Sequence, residues 1–427
     1  MAHLVFVQTT RPGIQALAAA KRLGYRSTLL TSAKFDWLLN DADRAAASEQ
    51  ADAVVRIDDT QSPDAVAAAL EALLREGPVD GVLSTFHLCA LPAAVAAGRL
   101  GLRATSAAGM LAARDKNRTR DIMDEHGIPT VRHRLVRSRD EALDALRHVG
   151  YPAIIKPIIG SGKMMTRIVR DDAETIAHMD SIDAQHDALR EAFKDEIPYE
   201  FAVEELAQGP LYSMELGSDA FGGWAPYMIV RRKTGKHNPV LEMGSTVPSG
   251  LTPEQYDEAA AYCIRIVEAL GLTLGIFHVE FIQTSDGPRL VEVNPRVAGG
   301  AIPDLIRTAT GFELFEELVR IHAGEPVREK RLHCNSAASH TFVAVMEDGT
   351  VRADLPGDWF EPFRRRITNG YCDIKPGQAL HAMDGNFDVY GVLRVAADDY
   401  REAVTATESL RTDVEAALGL KLVETDA

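Results

Sequence analysis

Four cysteines in 427 residues (Cys89, Cys263, Cys334 and Cys372) leave little room for sulfur chemistry. They lie far apart, with no CxxC pair and no Cys/His spacing that suggests zinc. Neither a disulfide framework nor a structural zinc site is expected, and buried, reduced thiols in a cytoplasmic protein fit the pattern. No apolar stretch approaches the roughly 20 residues that a membrane span needs. The N-terminal MAHLVFVQTTRPG has a short apolar run ending in polar residues and Pro, and reads as a strand rather than a signal peptide. Cations are in short supply: 46 Lys and Arg stand against 62 Asp and Glu, a formal charge of −16. That balance argues against a nucleic-acid-binding surface but leaves room for a local basic pocket that holds a small anion. Several motifs are missing as well. No GxGxxG follows the first strand, GxSxG and HExxH do not occur, and a P-loop fails at Pro157 and Met164, where Gly and Ser or Thr are required.

What is present suits a globular chain of two to four lobes, with 46% hydrophobic and 25% charged residues. Short strands at 3–7, 26–32, 54–57 and 80–85 alternate with Ala- and Leu-rich helices at 14–23, 63–75 and 91–99, which predicts a parallel α/β sheet. After Gly109 the texture changes. A helix at 109–126 ends at His126-Gly127-Ile128-Pro129, and another at 139–149 leads into YPAIIKPIIGSGKMMTRIVR (151–170), read as strand, glycine loop, strand. A helix at 171–193 precedes FAVEELA (201–207), SMELGSDA (213–220) and WAPYMIVRR (224–232), expected as an antiparallel meander. Helices at 253–270, 300–322 and about 400–418 frame the remaining strands.

The most informative segment is GIFHVEFIQTSDGPRLVEVNPR (275–296). Asp286-Gly287 between two alternating apolar runs is a hairpin signal, and a turn there sets position 280 opposite 292. His278, Glu280, Glu292 and Asn294 then share one face, while Val279, Phe281, Val291 and Val293 cover the apolar one. Two carboxylates directly opposite repel unless something positive lies between them. Two carboxylates and an amide are hard oxygen donors that suit Mg²⁺ also held by substrate phosphates. The alternative is a solvated face with incidental acids. Asn-Pro-Arg favours the metal reading, because it sets Arg296 where a guanidinium could grip an anionic substrate in a fork.

Lys156 ends a strand, with Gly160-Ser161-Gly162-Lys163 just after it. Such a loop lets backbone N–H groups approach phosphate oxygens, although a Gly-Ser-Gly alone is also an ordinary turn. Lys116 alone would be a surface helix lysine. The order is more specific than any one feature: a helical lysine, a strand-end lysine before a glycine loop, VEEL, then E…EVNPR. Over roughly residues 110–325 it resembles the ATP-grasp superfamily, and GIFHVEF…GPRLVEVNPRVAGGAIPDL is most similar to its L-amino acid ligase branch among the carboxylate–amine ligases.

The resemblance implies a mixed α/β and α+β architecture. It would have a Rossmann-like N-terminal lobe (1–110), an ATP-grasp small lobe (111–200), a large lobe with the metal site (201–330) and a C-terminal lobe or lid (331–427). It implies that Lys116 and Lys156 contact the ATP phosphates and that the loop Gly160, Ser161, Gly162 and Lys163 closes over them. Glu204, Glu205 and Leu206 would hold the adenine, with Val203 walling the ring. Glu280, Glu292 and Asn294 would bind two Mg²⁺ ions, with Mn²⁺ as a substitute. Arg296 would bind the substrate carboxylate and its acyl phosphate, and Gly299 and Gly300 would line the amino-acid pocket.

There are departures. Met164 stands where relatives often carry a small residue. Relatives commonly have Glu-x-Gly-His where Glu242-Met243-Gly244 is followed here by Ser245, which puts the acceptor or the mechanism in doubt. Glu242, Ser245, His278 and Arg296 are the candidate catalytic residues, His278 equally being a satisfied strand histidine. Gly300 suggests a roomy acceptor site. Thr85-Phe86-His87-Leu88-Cys89 follows a strand, where a carboxylate pocket or simple lobe packing are both open.

The implied reaction is an ADP-forming union of a carboxylate, such as an amino acid, with an amine. The rivals are a bicarbonate-using carboxylase and an ATP-binding module without turnover. The expected partners are small molecules, with no nucleic acid and no membrane, in a cytoplasmic protein for which a homodimer is compatible.

Overall fold

The computed structural model describes residues 1–159, 163–193, 199–386 and 388–426, except the side chains of 186–193. Strands β1 (His3–Val7), β2 (Arg26–Thr31), β3 (Ala53–Arg56) and β4 (Gly81–Leu83) form a parallel sheet in the order β3-β2-β1-β4. β1 is buried along its whole length, which is why it reads as a continuous apolar run. The helices Ile14–Arg22, Pro63–Glu76 and, between β2 and β3, Asp41–Gln50 connect the strands, and His87–Arg99 follows β4. Ser62 starts the second by accepting a hydrogen bond from the Ala65 N–H, with Pro63 in the first turn. Gly13, before the first helix, has no room for a side chain: a Cβ would lie 2.1 Å from the Thr85 hydroxyl.

A second sheet is antiparallel: β5 (His133–Val136), β6 (Ala153–Pro157), β7 (Arg167–Val169) and β8 (Phe201–Glu205), ordered β5-β8-β6-β7. Ile155, Phe201 and Val203 from its strands pack with residues of the helices Arg139–Val149 and Asp172–Phe193. FAVEELA, expected to open the later meander, belongs to this sheet instead. Its alternation cannot reveal the partner strand, since pairing is non-local. The helix expected at 109–126 is two, Ala107–Arg114 and Lys116–Glu125. Asp115 leaves helical geometry between them, and its carboxylate caps the second by accepting from the Arg118 N–H.

The third sheet has eight strands. They are β9 (Leu211–Ser218), β10 (Trp224–Thr234), β11 (Glu242–Val247), β12 (Gly275–Thr284), β13 (Gly287–Asn294), β14 (Ala337–Val343), β16 (Asn369–Cys372) and β18 (Gly391–Ala397). Their order is β13-β12-β9-β10-β11-β14-β18-β16, while β15 (Gly349–Thr350) and β17 (Ala379–Leu380) pair separately. Segment 331–427 therefore shares its main sheet with residues 211–294 rather than forming a sheet apart. The helix Pro253–Ala269, opened by a Thr252/Gln255 capping box, covers one face of β9 and β12. The region expected as one helix at 300–322 is Ile302–Thr310 and Leu314–Ala323, broken at Gly311, whose φ is +77°. These two cover part of the opposite face through Met228, Val230, Val247 and Ala338. The uncovered part of that face is polar. Among the described residues no helix is long and apolar enough to cross a membrane.

Candidate active site

The hairpin has the expected register: His278 faces Asn294 and Glu280 faces Glu292. A bulge then intervenes, so that Phe281 faces Leu290. Leu290, not Val291, is buried with Val279, Phe281 and Val293 on the apolar face. The bulge leaves the carbonyls of Leu290 and Val291 accepting from one Arg120 nitrogen, at 2.7 and 2.9 Å.

The opposed acids are held apart by cations. Lys116 Nζ lies 3.4 Å from Glu292 Oε2, and Lys163 Nζ lies 3.7 Å from Glu280 Oε2. Arg232 on β10 donates to Glu280 Oε1 at 3.3 Å and also grips Glu242. His278 sits between Glu215 Oε1, 2.5 Å from Nδ1, and Glu280 Oε1, 3.0 Å from Nε2. Burial alone would lower the His278 pKa, but these two carboxylates raise it to about 9, so the ring is an imidazolium at neutral pH. Burial likewise opposes the Lys163 charge, and Glu242, Glu280 and Glu292 more than offset it, raising that group. Against the same opposition Lys163 holds Glu280 well below the usual carboxylate range, and Lys116 holds Glu292 at about 2. Four carboxylates (Glu215, Glu242, Glu280, Glu292) thus face four cations (Lys116, Lys163, Arg232, His278).

Glu242 and Ser245 are three apart in β11 and would point to opposite faces of a regular strand. A bulge against Lys233/Thr234 sets Ser245 opposite Arg232 and Glu242 opposite Thr234. Both therefore reach the polar face. Ser245 Oγ is buried without a hydrogen-bond partner, and the residue across from it on β14 is His340, also buried with Nδ1 unpaired. An imidazole thus adjoins position 245 although the residue there is Ser.

On the second sheet Lys156 and Glu204 share a face, with Nζ 2.7 Å from Glu204 Oε2 and the Arg120 guanidinium 3.2 Å from the same oxygen. Burial pushes Lys156 down to about 8, despite Glu204. Burial would raise Glu204, but Arg120 and Lys156 hold it at about 2. Its other oxygen, Oε1, is buried and unpartnered. Val203 does not wall this face. It alternates to the other side and is fully buried beside Ile155, because successive strand residues point oppositely. The N–H groups of Glu205 and Leu206 donate to Arg132 and Pro152 carbonyls, at 2.9 and 3.3 Å, and the Glu205 carboxylate pairs with Arg132. Gly160, Ser161 and Gly162 lie outside the described residues; Lys163 is within them, 2.8 Å from Glu242 Oε1.

Arg296 follows β13 and donates to Asn294 Oδ1 at 3.3 Å and to the Val297 carbonyl at 3.1 Å. It opens on a cavity of about 250 Å³ lined also by Thr85, Phe86, His87 and Gly299, at the C-terminal end of the parallel sheet. Phe86 also packs edge-on against Phe35 in the core of that lobe, so the segment both lines a cavity and packs the lobe. Gly300 is exposed at φ +60°, with open space where a side chain would begin.

This arrangement of two antiparallel sheets around opposed acids and convergent lysines meets its counterpart in known proteins. The ATP-grasp domain family matches residues 149–304, and the ATP-grasp N-terminal domain family matches 17–102. The chain belongs to the ATP-grasp superfamily. Human carnosine synthase 1 is 26% identical over 322 residues, covering 67% of this chain and 39% of that protein. Alanine–anticapsin ligase of Bacillus subtilis (strain 168) is 28% identical over 266 residues, covering 57% and 53%. The matched segments thus span about half the length, or less, of these curated relatives. The crystal structure of an L-amino acid ligase from Bacillus licheniformis superposes with a TM-score of 0.75 at 19% identity, over 99% of this chain and 98% of that one. At that identity the likeness speaks for the ATP-grasp fold.

The donor set fits Mg·ATP better than a resident metal. Among the described residues no three His, Cys, Asp or Glu side chains are grouped as a ready-made metal cage. Mg²⁺ that arrives on a triphosphate needs only one or two carboxylates from the protein. Glu280 Oε2 is a buried oxygen without a hydrogen bond, available to such an ion.

Four residues near the site are not indicated by the sequence patterns above: Glu215, Arg232, Arg120 and His340. Arg120 alone had a local signal, since it stands four residues after Lys116 on one helix face. The others reach the site by strand pairing or lobe packing, which no local spacing encodes.

Proposed function

We propose that this ATP-grasp protein is a carboxylate–amine ligase that forms an amide, of which a dipeptide is one form, and releases ADP and phosphate. The observation that carries the reading is the set of four acids and four cations beside an Arg296 whose guanidinium bonds only neutral acceptors. A carboxylate is a poor electrophile because oxide is a poor leaving group. Phosphorylation by ATP makes an acyl phosphate, from which phosphate departs when the amine attacks.

Two anions must meet first, and positive charge is what the site can supply. Lys116, Lys156 and Lys163 each lie beside a carboxylate and would bind the phosphate oxygens of a triphosphate, and Glu280, Glu292 and Asn294 would hold divalent ions. Two Mg²⁺ ions, or Mn²⁺, would supply Lewis-acid charge there. Arg296 orients the reacting carboxylate, and Arg232 with His278 fixes Glu280. The name of one sequence relative, alanine–anticapsin ligase, supports this reading.

The test is release of ADP and phosphate by purified protein with Mg·ATP across carboxylic acids, amines and bicarbonate. Release that requires both an acid and an amine is expected. Release with bicarbonate alone would move the protein to the carboxylases, and tight ATP binding without turnover under any pairing would make it a binding module.

A further inference from the structure

We infer that the acid activated at Arg296 carries no α-ammonium group: the cavity selects a carboxylic acid with an uncharged, apolar body, and an amino acid can enter only as the amine partner. This rests on the ligase reading and narrows it. The cavity lies between the end of β4, the helix His87–Arg99 and the segment after β13. Phe86, Met110, Phe315 and Leu318 supply apolar wall, and the described residues that line it include no Asp and no Glu. Arg296 is the single Lys or Arg among those described residues. Its guanidinium donates only to the neutral oxygens of Asn294 and Val297, so a carboxylate entering the cavity meets an uncompensated cation.

An α-ammonium would meet the opposite. Buried charge requires a counter-charge or a full set of hydrogen bonds, and this wall offers hydroxyls and carbonyls but no anion. The surroundings are positive besides. Arg296, Arg114 and Lys116 all act on His87, which burial first and these cations next push down to about 4, so its ring is neutral at pH 7. Glu292 acts on His87 in the opposite sense, but it is outside the cavity lining and is paired with Lys116. His322, the other imidazole of the wall, is likewise lowered to about 4 by burial.

Acids that differ only in the α-ammonium decide the matter: 3-phenylpropanoate against phenylalanine, 4-methylpentanoate against leucine, 3-methylbutanoate against valine. ADP release is followed for each with Mg·ATP and hydroxylamine, which traps an activated acyl group as its hydroxamate. We expect kcat/KM for the simple acid to exceed that for its amino acid at least tenfold. His87→Glu, which places an anion in the wall, is expected to move that ratio at least tenfold toward the amino acid, whereas His87→Gln is not. Equal or greater activity with the amino acids overturns the inference while leaving the ligase reading intact. If no acid releases ADP, the ligase reading fails, and calorimetric titration of the same pairs still decides the pocket. At least tenfold tighter binding of the simple acids upholds the selectivity; equal binding or none overturns it.

Discussion

The Lys163 ammonium lies 2.8 Å from one Glu242 oxygen, joining the loop after β6 to the large sheet. Its second partner, Glu280, is one of the two opposed hairpin acids. The same cation that would reach phosphate therefore neutralises carboxylates that would reach metal. Replacing it leaves buried acids short of a counter-charge, which a divalent ion can supply. Lys163→Met is expected to bind Mn²⁺ without nucleotide at least tenfold more tightly than wild type by calorimetry, while ATP turnover falls. Unchanged Mn²⁺ affinity would mean that Lys163 does not compete with metal.

In the proposed site His278 would act through Glu280. Held between Glu215 and Glu280, it donates to the Glu280 carboxylate from Nε2 at 3.0 Å, and loss of such a partner typically costs about 10–100-fold in metal affinity. His278→Asn is expected to raise the Mg²⁺ concentration for half-maximal ADP release by that factor. The KM for ATP at saturating Mg²⁺ should change far less. Equal shifts in both would reveal a general loss of structure.

Lys156 predicts a pH dependence. Burial holds it at about 8, so it is charged below that pH and neutral above it. If only the charged form grips phosphate, the ATP dissociation constant rises by up to about tenfold per pH unit above 8. Lys156→Met should bind ATP weakly at every pH and show no such rise. A wild-type profile flat from pH 7 to 10 would remove Lys156 from the phosphate site.

Glu204 links charge to stability. Its folded pKa of about 2 lies below the ordinary 4.5, so its contribution is present above pH 4.5 and lost as pH falls through 2. A shift of that size corresponds to roughly 3 kcal/mol. Glu204→Gln leaves Arg120 and Lys156 facing an uncharged amide, and is expected to lower unfolding stability by roughly 3–5 kcal/mol in urea at pH 7. The deficit should shrink as the pH is lowered below 4.5. A deficit independent of pH would mean packing, not charge, explains the loss.

The hairpin was legible because everything needed lies within one local stretch: alternation fixes the faces, and Asp286-Gly287 fixes the turn. The pairing of Glu280 with Glu292 follows from those two facts. The extra residue at Val291 does not, since a bulge leaves the apolar pattern nearly intact while exchanging Leu290 for Val291. The side to which Val203 points is not legible for a related reason. VEEL resembles a hinge, but only the pairing of β8 with β6 shows which side chains face Lys156. Glu215, Arg232 and His340 join the site from three further strands, and that convergence belongs to sheet order rather than to any local motif.

In the proposed reaction the γ-phosphoryl group is passed to a carboxylate oxygen. This transfer is tested most directly by supplying ¹⁸O-labelled carboxylic acids with an amine and Mg·ATP, then weighing the released phosphate. Acyl-phosphate chemistry predicts one ¹⁸O atom in each phosphate, with ADP as the nucleotide product. Unlabelled phosphate accompanying amide formation, or AMP and pyrophosphate in its place, would contradict it.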